Sequence, residues 1–416
     1  MDLIVGAGVT GLSYAMFTNN DYLILEKSSE YGGYCKTTKR NGFVWDYSGH
    51  FFHFQDEEIR NKVFSKMNKD DIVDVIKETR IKYKDLLVDY PFQKNIHQLP
   101  KEELIDCLYD LFADREEVCG NFQEMLYSKF GKSIAEKFLI PYNEKLYACD
   151  LNTLDKDAMG RFFPHANKTE IIRNFRNSDN ASYNNSFIYP KEGAIEYIKS
   201  IVEYIDSDKI QYNSEVVKIK AKEHVAILGD GTEIKYDRLI STMPFPELLD
   251  KVGVEYDADI YAWNQVLCFN LGFAKKGVDE KNHWLYFPEK KYCFYRVGFY
   301  DNIIGQNQMS LYVELGFDRN AKVEPSEWLG RVLKDLRDAG IVSEDNYLMD
   351  YQSLVMDPAY VHVNSKSTTD VENKKAYLKE YDIYSLGRYG SWIYCSIEDN
   401  MKEARDLVQS IKIANE

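Results

Sequence analysis

The stretch that most restricts the fold is Gly6-Ala7-Gly8-Val9-Thr10-Gly11, which follows the apolar run Leu3-Ile4-Val5 directly and leads into a helix-compatible segment. A strand that ends in this spacing of glycines and opens a helix specifies a dinucleotide-binding turn. Gly6 makes the tight turn, Gly8 lets backbone approach a pyrophosphate, and Gly11 lets the helix lie close on the sheet. The helix N-terminus then faces the anion with unpaired N–H groups and the positive end of its dipole. A second apolar run, Tyr22-Leu23-Ile24-Leu25, ends in Glu26, placed where a carboxylate accepts from ribose hydroxyls.

The residues after Glu26 distinguish between dinucleotides. Lys27-Ser28-Ser29-Glu30-Tyr31-Gly32-Gly33 carries a second glycine turn just after the ribose carboxylate. This resembles the flavoprotein family related to amine oxidases, in which such a turn helps hold the FAD pyrophosphate and ribityl chain. The resemblance implies FAD rather than NAD, with Gly6, Gly8, Gly11, Glu26, Lys27, Gly32 and Gly33 around it.

With 416 residues, 44% of them hydrophobic, the chain has room for two or three domains and a large core. Its 52 basic and 67 acidic residues give a net charge of −15, which disfavours nucleic acid and anionic membrane as partners. No run approaches the ~18 to 20 uncharged apolar residues of a membrane span. No basic leader precedes the first strand, so a cytoplasmic location is expected. The seven cysteines are odd in number and lack a C-x-x-C pair, which suggests neither a disulfide framework nor a zinc site; no metal site is expected. The 32 tyrosines suit sugar and base recognition as well as core packing.

The periodicities predict an α/β fold: a Rossmann-like domain with a helical insertion and an antiparallel sheet domain. Residues 1–55, 186–250 and 380–416 read as the discontinuous dinucleotide-binding domain. A mainly helical, substrate-covering domain is expected over 56–185, with helices at Glu58–Lys66, Lys101–Phe112, Cys119–Phe130 and Ser133–Leu139, the last stopped by Pro141. The polar, asparagine-rich stretch Asn167–Asn185 reads as a loop. Val216–Ile219 and His224–Leu228 read as a hairpin with the turn signal Gly229-Asp230-Gly231. Alternating stretches at Gln265–Phe273, Trp284–Phe287, Phe294–Phe299 and Met309–Leu315 predict the antiparallel sheet of a domain over 251–379, flanked by a helix at Glu327–Ala339.

Four further stretches carry a more specific resemblance. They are Tyr90-Pro91-Phe92-Gln93-Lys94-Asn95-Ile96, Pro141-Tyr142-Asn143-Glu144-Lys145, Trp284-Leu285-Tyr286-Phe287-Pro288 with Phe294-Tyr295-Arg296, and Gly387-Arg388-Tyr389-Gly390-Ser391-Trp392. Together they resemble the flavin-dependent UDP-galactopyranose mutases, the eukaryotic branch more than the common bacterial one. The resemblance implies interconversion of UDP-galactopyranose and UDP-galactofuranose through a reduced-flavin N5–sugar adduct, in the service of cell-surface polysaccharide synthesis. It implies a UDP-sugar as substrate and NADH or NADPH as reductant. No motif specifies an oligomeric state.

Carried over residue by residue, Arg296 and Arg161 match the arginines on the UDP pyrophosphate, and His50 and Gly49 the loop against the flavin. Tyr90 and Phe138 match residues on the uracil, Gln93 and Asn143 nearby hydrogen-bonding groups, and Tyr286, Tyr360 and Tyr394 tyrosines on the diphosphate. Arg388, Val216 and Glu398 match positions near FAD. Two residues depart from the pattern: Tyr147 stands where eukaryotic members carry tryptophan beside the sugar, and Ser48 replaces a glycine before Gly49. A related UDP-sugar, N-acetylated or deoxy, therefore stays open as substrate. The alternatives are an oxidase or desaturase of the amine-oxidase type and a flavin-binding protein without catalysis.

Overall fold

The computed structural model describes residues 1–114, 119–176, 180 and 185–415. The fold is α/β, built on two large sheets. The first is parallel, with strands in the order Ile383–Ser385, Arg238–Ser241, Asp2–Val5, Tyr22–Leu25 and Ile210–Gln211. Its strands are continuous apolar runs because both faces are covered. Ile4, Ile24 and Ile240 pack with the helices Val9–Phe17, Ile195–Val202 and Ile397–Asn415. Leu3, Val5, Leu25 and Leu239 pack on the opposite side with Leu228, Phe245 and Leu249. At the start of the central strand, the buried Asp2 carboxylate accepts from Tyr14 Oη, Arg238 Nε and Asn20 Nδ2, so its burial leaves no unpaired charge.

The second sheet runs Leu348–Met356, Ala262–Phe273, Ser310–Asp318, Arg296–Phe299, Trp284–Tyr286, Thr79–Tyr83 and Leu86–Asp89. The four predicted alternating stretches all lie in it. Both of its faces are buried: Leu267, Phe269 and Leu271 meet the helix Pro325–Asp338 through Val332 and Leu336, while Val266, Cys268 and Tyr312 meet Phe43 and Trp45. The hairpin Thr79–Asp89, inside the mainly helical stretch, joins this sheet by parallel pairing of Thr79–Ile81 with Trp284–Tyr286.

Three local expectations are corrected. Pro141 does not stop a helix. The helix Phe122–Ile134 is broken at Gly131 (φ 80°), between the two predicted helices, and its last turn passes through a π-helical turn, Ala135–Leu139, into the helix Ile140–Tyr147, where Pro141 sits in the first turn and its missing N–H costs little. Within the stretch read as a loop, Lys168–Asn174 is a helix closed by a capping box, with Asn167 accepting from the Glu170 N–H and Glu170 accepting from the Asn167 N–H. Residues 177–179 and 181–184 of that stretch lie outside the described residues. The Gly229-Asp230-Gly231 turn leads from Val225–Leu228 into a third strand, Glu233–Lys235; the preceding reversal is a 3₁₀ turn at Ala221–Glu223 closed by His224 at φ 52°. No described helix is long and apolar enough to cross a membrane.

Candidate functional site

Between the carboxyl ends of the parallel strands and the second sheet lies a cavity of about 710 Å³. This is where open parallel sheets place their ligands. The glycine turn forms one end. Gly6 holds φ +106° with its α-carbon against Thr242, so that a β-carbon there would stand 2.2 Å from Thr242 Oγ1. A β-carbon on Gly11 would fall 2.1 Å from the Gly6 carbonyl oxygen, which explains the helix's close approach; Gly11 itself does not reach the cavity. Gly8, by contrast, has no protein atom within 4 Å of where its β-carbon would be, and it lines the cavity. Gly33, at φ +56°, packs its own missing side chain 3.4 Å from the Gly8 α-carbon, and the Gly32 N–H donates to the Ala7 carbonyl at 2.8 Å. The two turns thus form one cradle at the start of the helix Val9–Phe17, whose cap Gly8 supplies no side chain to its N–H groups.

Glu26 is placed by the same turns, accepting from the Ala7 N–H and the Ser28 N–H at 2.8 Å each while lining the cavity with Lys27. Val216 lines it too. Glu398 does not. Its carboxylate is turned into the protein, where Oε1 accepts from the Gln55 and Asp56 N–H groups and Oε2 pairs with Lys402. Asn400, two residues on, reaches the cavity instead and accepts from Thr10 Oγ1 and the Arg388 N–H.

The other end is aromatic and cationic. Arg296 is anchored on Glu314, directly opposite on the neighbouring strand, through Nε to Oε2 and Nη2 to Oε1 at 2.8 Å. Both side chains line the cavity, and Glu314 is only 1% exposed. Arg388 is surrounded by rings, 4.7 Å from the Tyr394 centroid and 5.1 Å from that of Tyr360. Tyr90, Tyr286, Tyr360, Tyr394, Phe138 and Asn143 all line the cavity, as do His50 and Gly49. Burial, with Arg388 nearby, pushes the His50 imidazole down to about 4, so it is neutral near pH 7.

Several expected site residues lie elsewhere. Arg161 is a half-exposed ion pair, its Nη2 at 2.6 Å and 2.7 Å from the two Asp399 carboxylate oxygens, and it does not line the cavity, although its neighbour Phe162 does. Gln93 is fully buried behind the wall, donating through Nε2 to the Pro164 carbonyl. Tyr147 is buried behind Tyr360, with ring centroids 6.0 Å apart. Phe138 already has stacked protein partners, Tyr142 at 5.2 Å and Phe92 at 5.3 Å, so a base on its face takes the place of one of them.

Glu314, Asn400, Tyr142 and Tyr295 are site residues that the sequence reading missed. Tyr142 and Tyr295 lie inside the motif stretches Pro141–Lys145 and Phe294–Arg296, and Glu314 stands out as an acidic residue inside a largely apolar strand stretch; Asn400 had no such signal.

The cavity fits a long, polar, anionic ligand. Four side-chain atoms in its wall lack any hydrogen-bond partner: His50 Nδ1, Asn143 Oδ1, Tyr295 Oη and Arg388 Nε. Buried polar atoms are normally paired, and a ligand with hydroxyls and oxyanions supplies such partners. Among the described residues no cluster of His, Cys, Asp and Glu suited to a metal ion occurs. At the Gly8 end, the open space over a helix N-terminus suits a dinucleotide pyrophosphate.

Comparison with known proteins bears on the same regions. The family described as NAD(P)-binding Rossmann-like domain matches residues 4–66. A crystal structure of reduced UDP-galactopyranose mutase superposes with a TM-score of 0.92 at 23% identity, over 100% of this chain and 94% of that one. A putative protoporphyrinogen oxidase from Exiguobacterium sp. 255-15 gives a TM-score of 0.78 at 14% identity, over 99% of this chain and 98% of that one. Cyclohexylamine oxidase from Brevibacterium oxydans IH-35A gives 0.67 at 12% identity, over 99% of each chain. The chain therefore has the fold shared by these proteins: a Rossmann-like unit combined with helices and an antiparallel sheet.

Proposed function

We propose that the protein is an FAD-dependent UDP-galactopyranose mutase of the eukaryotic type, acting on UDP-galactose or a closely related UDP-sugar. The observation that carries this reading is one continuous cavity with a glycine cradle at one end and, at the other, Arg296 and Arg388 among cavity-lining tyrosines. Bound and reduced by NADH or NADPH, FAD supplies the nucleophile for a ring contraction without net redox change.

The chain's own residues do the rest. The Gly6–Gly11 turn and the helix behind it hold the FAD pyrophosphate, with Gly32, Gly33, Glu26 and Lys27 beside it. Arg296 holds the UDP diphosphate, which must leave the sugar and return to the same carbon; a forked guanidinium stabilises the charge that develops on it. Tyr286, Tyr360 and Tyr394 offer hydroxyls to the same oxyanions. Neutral His50 and the Gly49 backbone form the wall facing the flavin, and Phe162, Trp284 and Tyr142 add aromatic surface to the lining. The wide distribution of this fold among oxidases favours one second reading, an amine-type oxidase. Glu314 already offsets Arg296, so the charge unfavourable to an ammonium substrate in the cavity is that of Arg388.

The decisive experiment incubates purified protein with UDP-galactofuranose, with and without dithionite, and separates the products by chromatography. Conversion to the pyranose only after reduction supports the mutase. No conversion by flavin-loaded, reduced protein excludes UDP-galactose as substrate and directs the assay to other UDP-sugars; turnover of none of them overturns the mutase reading and leaves amines.

A further inference from the structure

Ser48 stands at φ +70°, in the left-handed region that glycine prefers, so a side chain is kept there against a backbone cost. Its hydroxyl is fully used: Oγ donates to Glu314 Oε1 and accepts the Gly49 N–H at 2.7 Å. The same Glu314 oxygen accepts Arg296 Nη2. A continuous line of hydrogen bonds therefore runs from the Gly49 amide, through Ser48 and Glu314, to the Arg296 guanidinium. The strand Ser310–Asp318 explains the arrangement, because residues two apart share a face. Ser310 accepts from Trp45 Nε1 at 3.0 Å, the Tyr312 ring fills the space left by Gly49 and Gly298, and Glu314 takes Ser48. Residues 45–49 are thus laid along one face of that strand, and the loop's last fixed point is the carboxylate that also holds the arginine.

We infer that Ser48 and Glu314 are positioning residues that couple the diphosphate arginine to the Gly49–His50 loop, so that an anion engaging Arg296 is felt at the loop facing the flavin. The functional part of this inference rests on the reading of Arg296 given above; the mechanical link does not. Glu314 occupies Nε and one Nη2 hydrogen of Arg296 and leaves the remaining guanidinium hydrogens for an oxyanion. Any displacement of the guanidinium toward an anion pulls on the shared Oε1, and Ser48 is the other group bonded to that atom. A serine in place of glycine at this position is what closes the circuit.

The test is a double-mutant cycle read by hydrogen–deuterium exchange of the peptide spanning residues 47–52 in the protein as purified. The variants are Ser48→Ala, Glu314→Gln and the pair, with Ser48→Gly as a second background that relieves the backbone and guards against misfolding. Coupling predicts that Glu314→Gln speeds exchange at the loop about tenfold when Ser48 is present and less than about twofold in either Ser48 variant. Equal acceleration in all backgrounds, or none in any, overturns the link. UDP is then added. Slower loop exchange on UDP binding in the wild type, lost in Ser48→Ala although UDP still binds by calorimetry, supports transmission from the arginine, and equal slowing in both overturns it. A wild type that binds no UDP defeats the mutase reading, while the ligand-free cycle still decides the coupling.

Discussion

Arg296 is fixed before any ligand arrives, because the buried Glu314 carboxylate holds Nε and Nη2 together. A preorganised cation pays little to meet developing charge. Arg296→Ala is expected to cost about 2 to 4 kcal/mol of transition-state stabilisation, read from kcat/KM in the mutase assay; unchanged turnover would rule out its role. Arg161 is expected to behave differently, since its guanidinium already serves Asp399 at the surface. Arg161→Ala should lower kcat/KM by less than about tenfold, as loss of an exposed ion pair does, and a loss equal to that of Arg296→Ala would mean that the Asp399 pair opens during turnover. Tyr147 is a packing residue in this geometry, 1% exposed and set behind Tyr360. Tyr147→Trp adds volume to a filled core and should cost about 1 to 3 kcal/mol of stability by denaturant titration. A stability equal to wild type would show that the ring has free space, as a residue facing the sugar would.

The glycine cradle is an element whose parts separate cleanly. A β-carbon at Gly8 meets no protein atom within 4 Å, so Gly8→Val should leave the apoprotein's unfolding midpoint nearly unchanged while filling the space kept for the pyrophosphate. The purified variant should be colourless, and a yellow one would place the flavin elsewhere. This element was legible in the sequence because glycine spacing encodes backbone shape directly. The helix Lys101–Phe112 was legible for a related reason, since its one apolar face sets the period, and the four strand stretches were legible as short apolar runs buried on both faces. Legibility failed where composition misled. Asparagines concealed the capped helix Lys168–Asn174, and a proline that opens a helix was read as closing one. In the site, the local motifs contribute Gly8, Tyr90, Asn143, Tyr286 and Arg388 to the lining of one cavity, but contacts across strands did not announce themselves. Glu314 finds Arg296 only through strand register, and the half-turn that exchanges Glu398 for Asn400 depends on how the last helix is rotated against Val9–Phe17.

At the scale of the whole molecule, joining two sheets around one cavity buries titratable groups that have nothing to do with catalysis. His283 and His362 are 8% and 6% exposed, and burial pushes both down to about 4. His283 is built in as the neutral form, its Nδ1 accepting the Glu78 N–H at 3.0 Å; His362 Nε2 donates to the Tyr147 carbonyl at 2.9 Å, a bond that partly opposes the larger effect of burial. Between about pH 6.5 and 4 the unfolded chain protonates both histidines and the folded chain does not, so this stability is complete above 6.5 and is lost as the pH falls. His50 and His53, in the cavity wall, act in the same direction. Asp46 opposes them. Fully buried among Thr37, Tyr189 and the Ala194 N–H, its carboxyl is pushed up by burial to about 6, so the folded state holds a proton that the unfolded chain has released above about 4. The histidines outnumber it, and stability should therefore fall from pH 6.5 toward 4.5. His362→Asn withdraws one proton from the balance, so the pH slope of unfolding free energy in that interval should flatten by about 1.4 kcal/mol per pH unit. Urea titrations of wild type and variant at several pH values measure it. An unchanged slope would mean that His362 is protonated in the folded protein, and a stability that rises on acidification would mean that Asp46 dominates the balance.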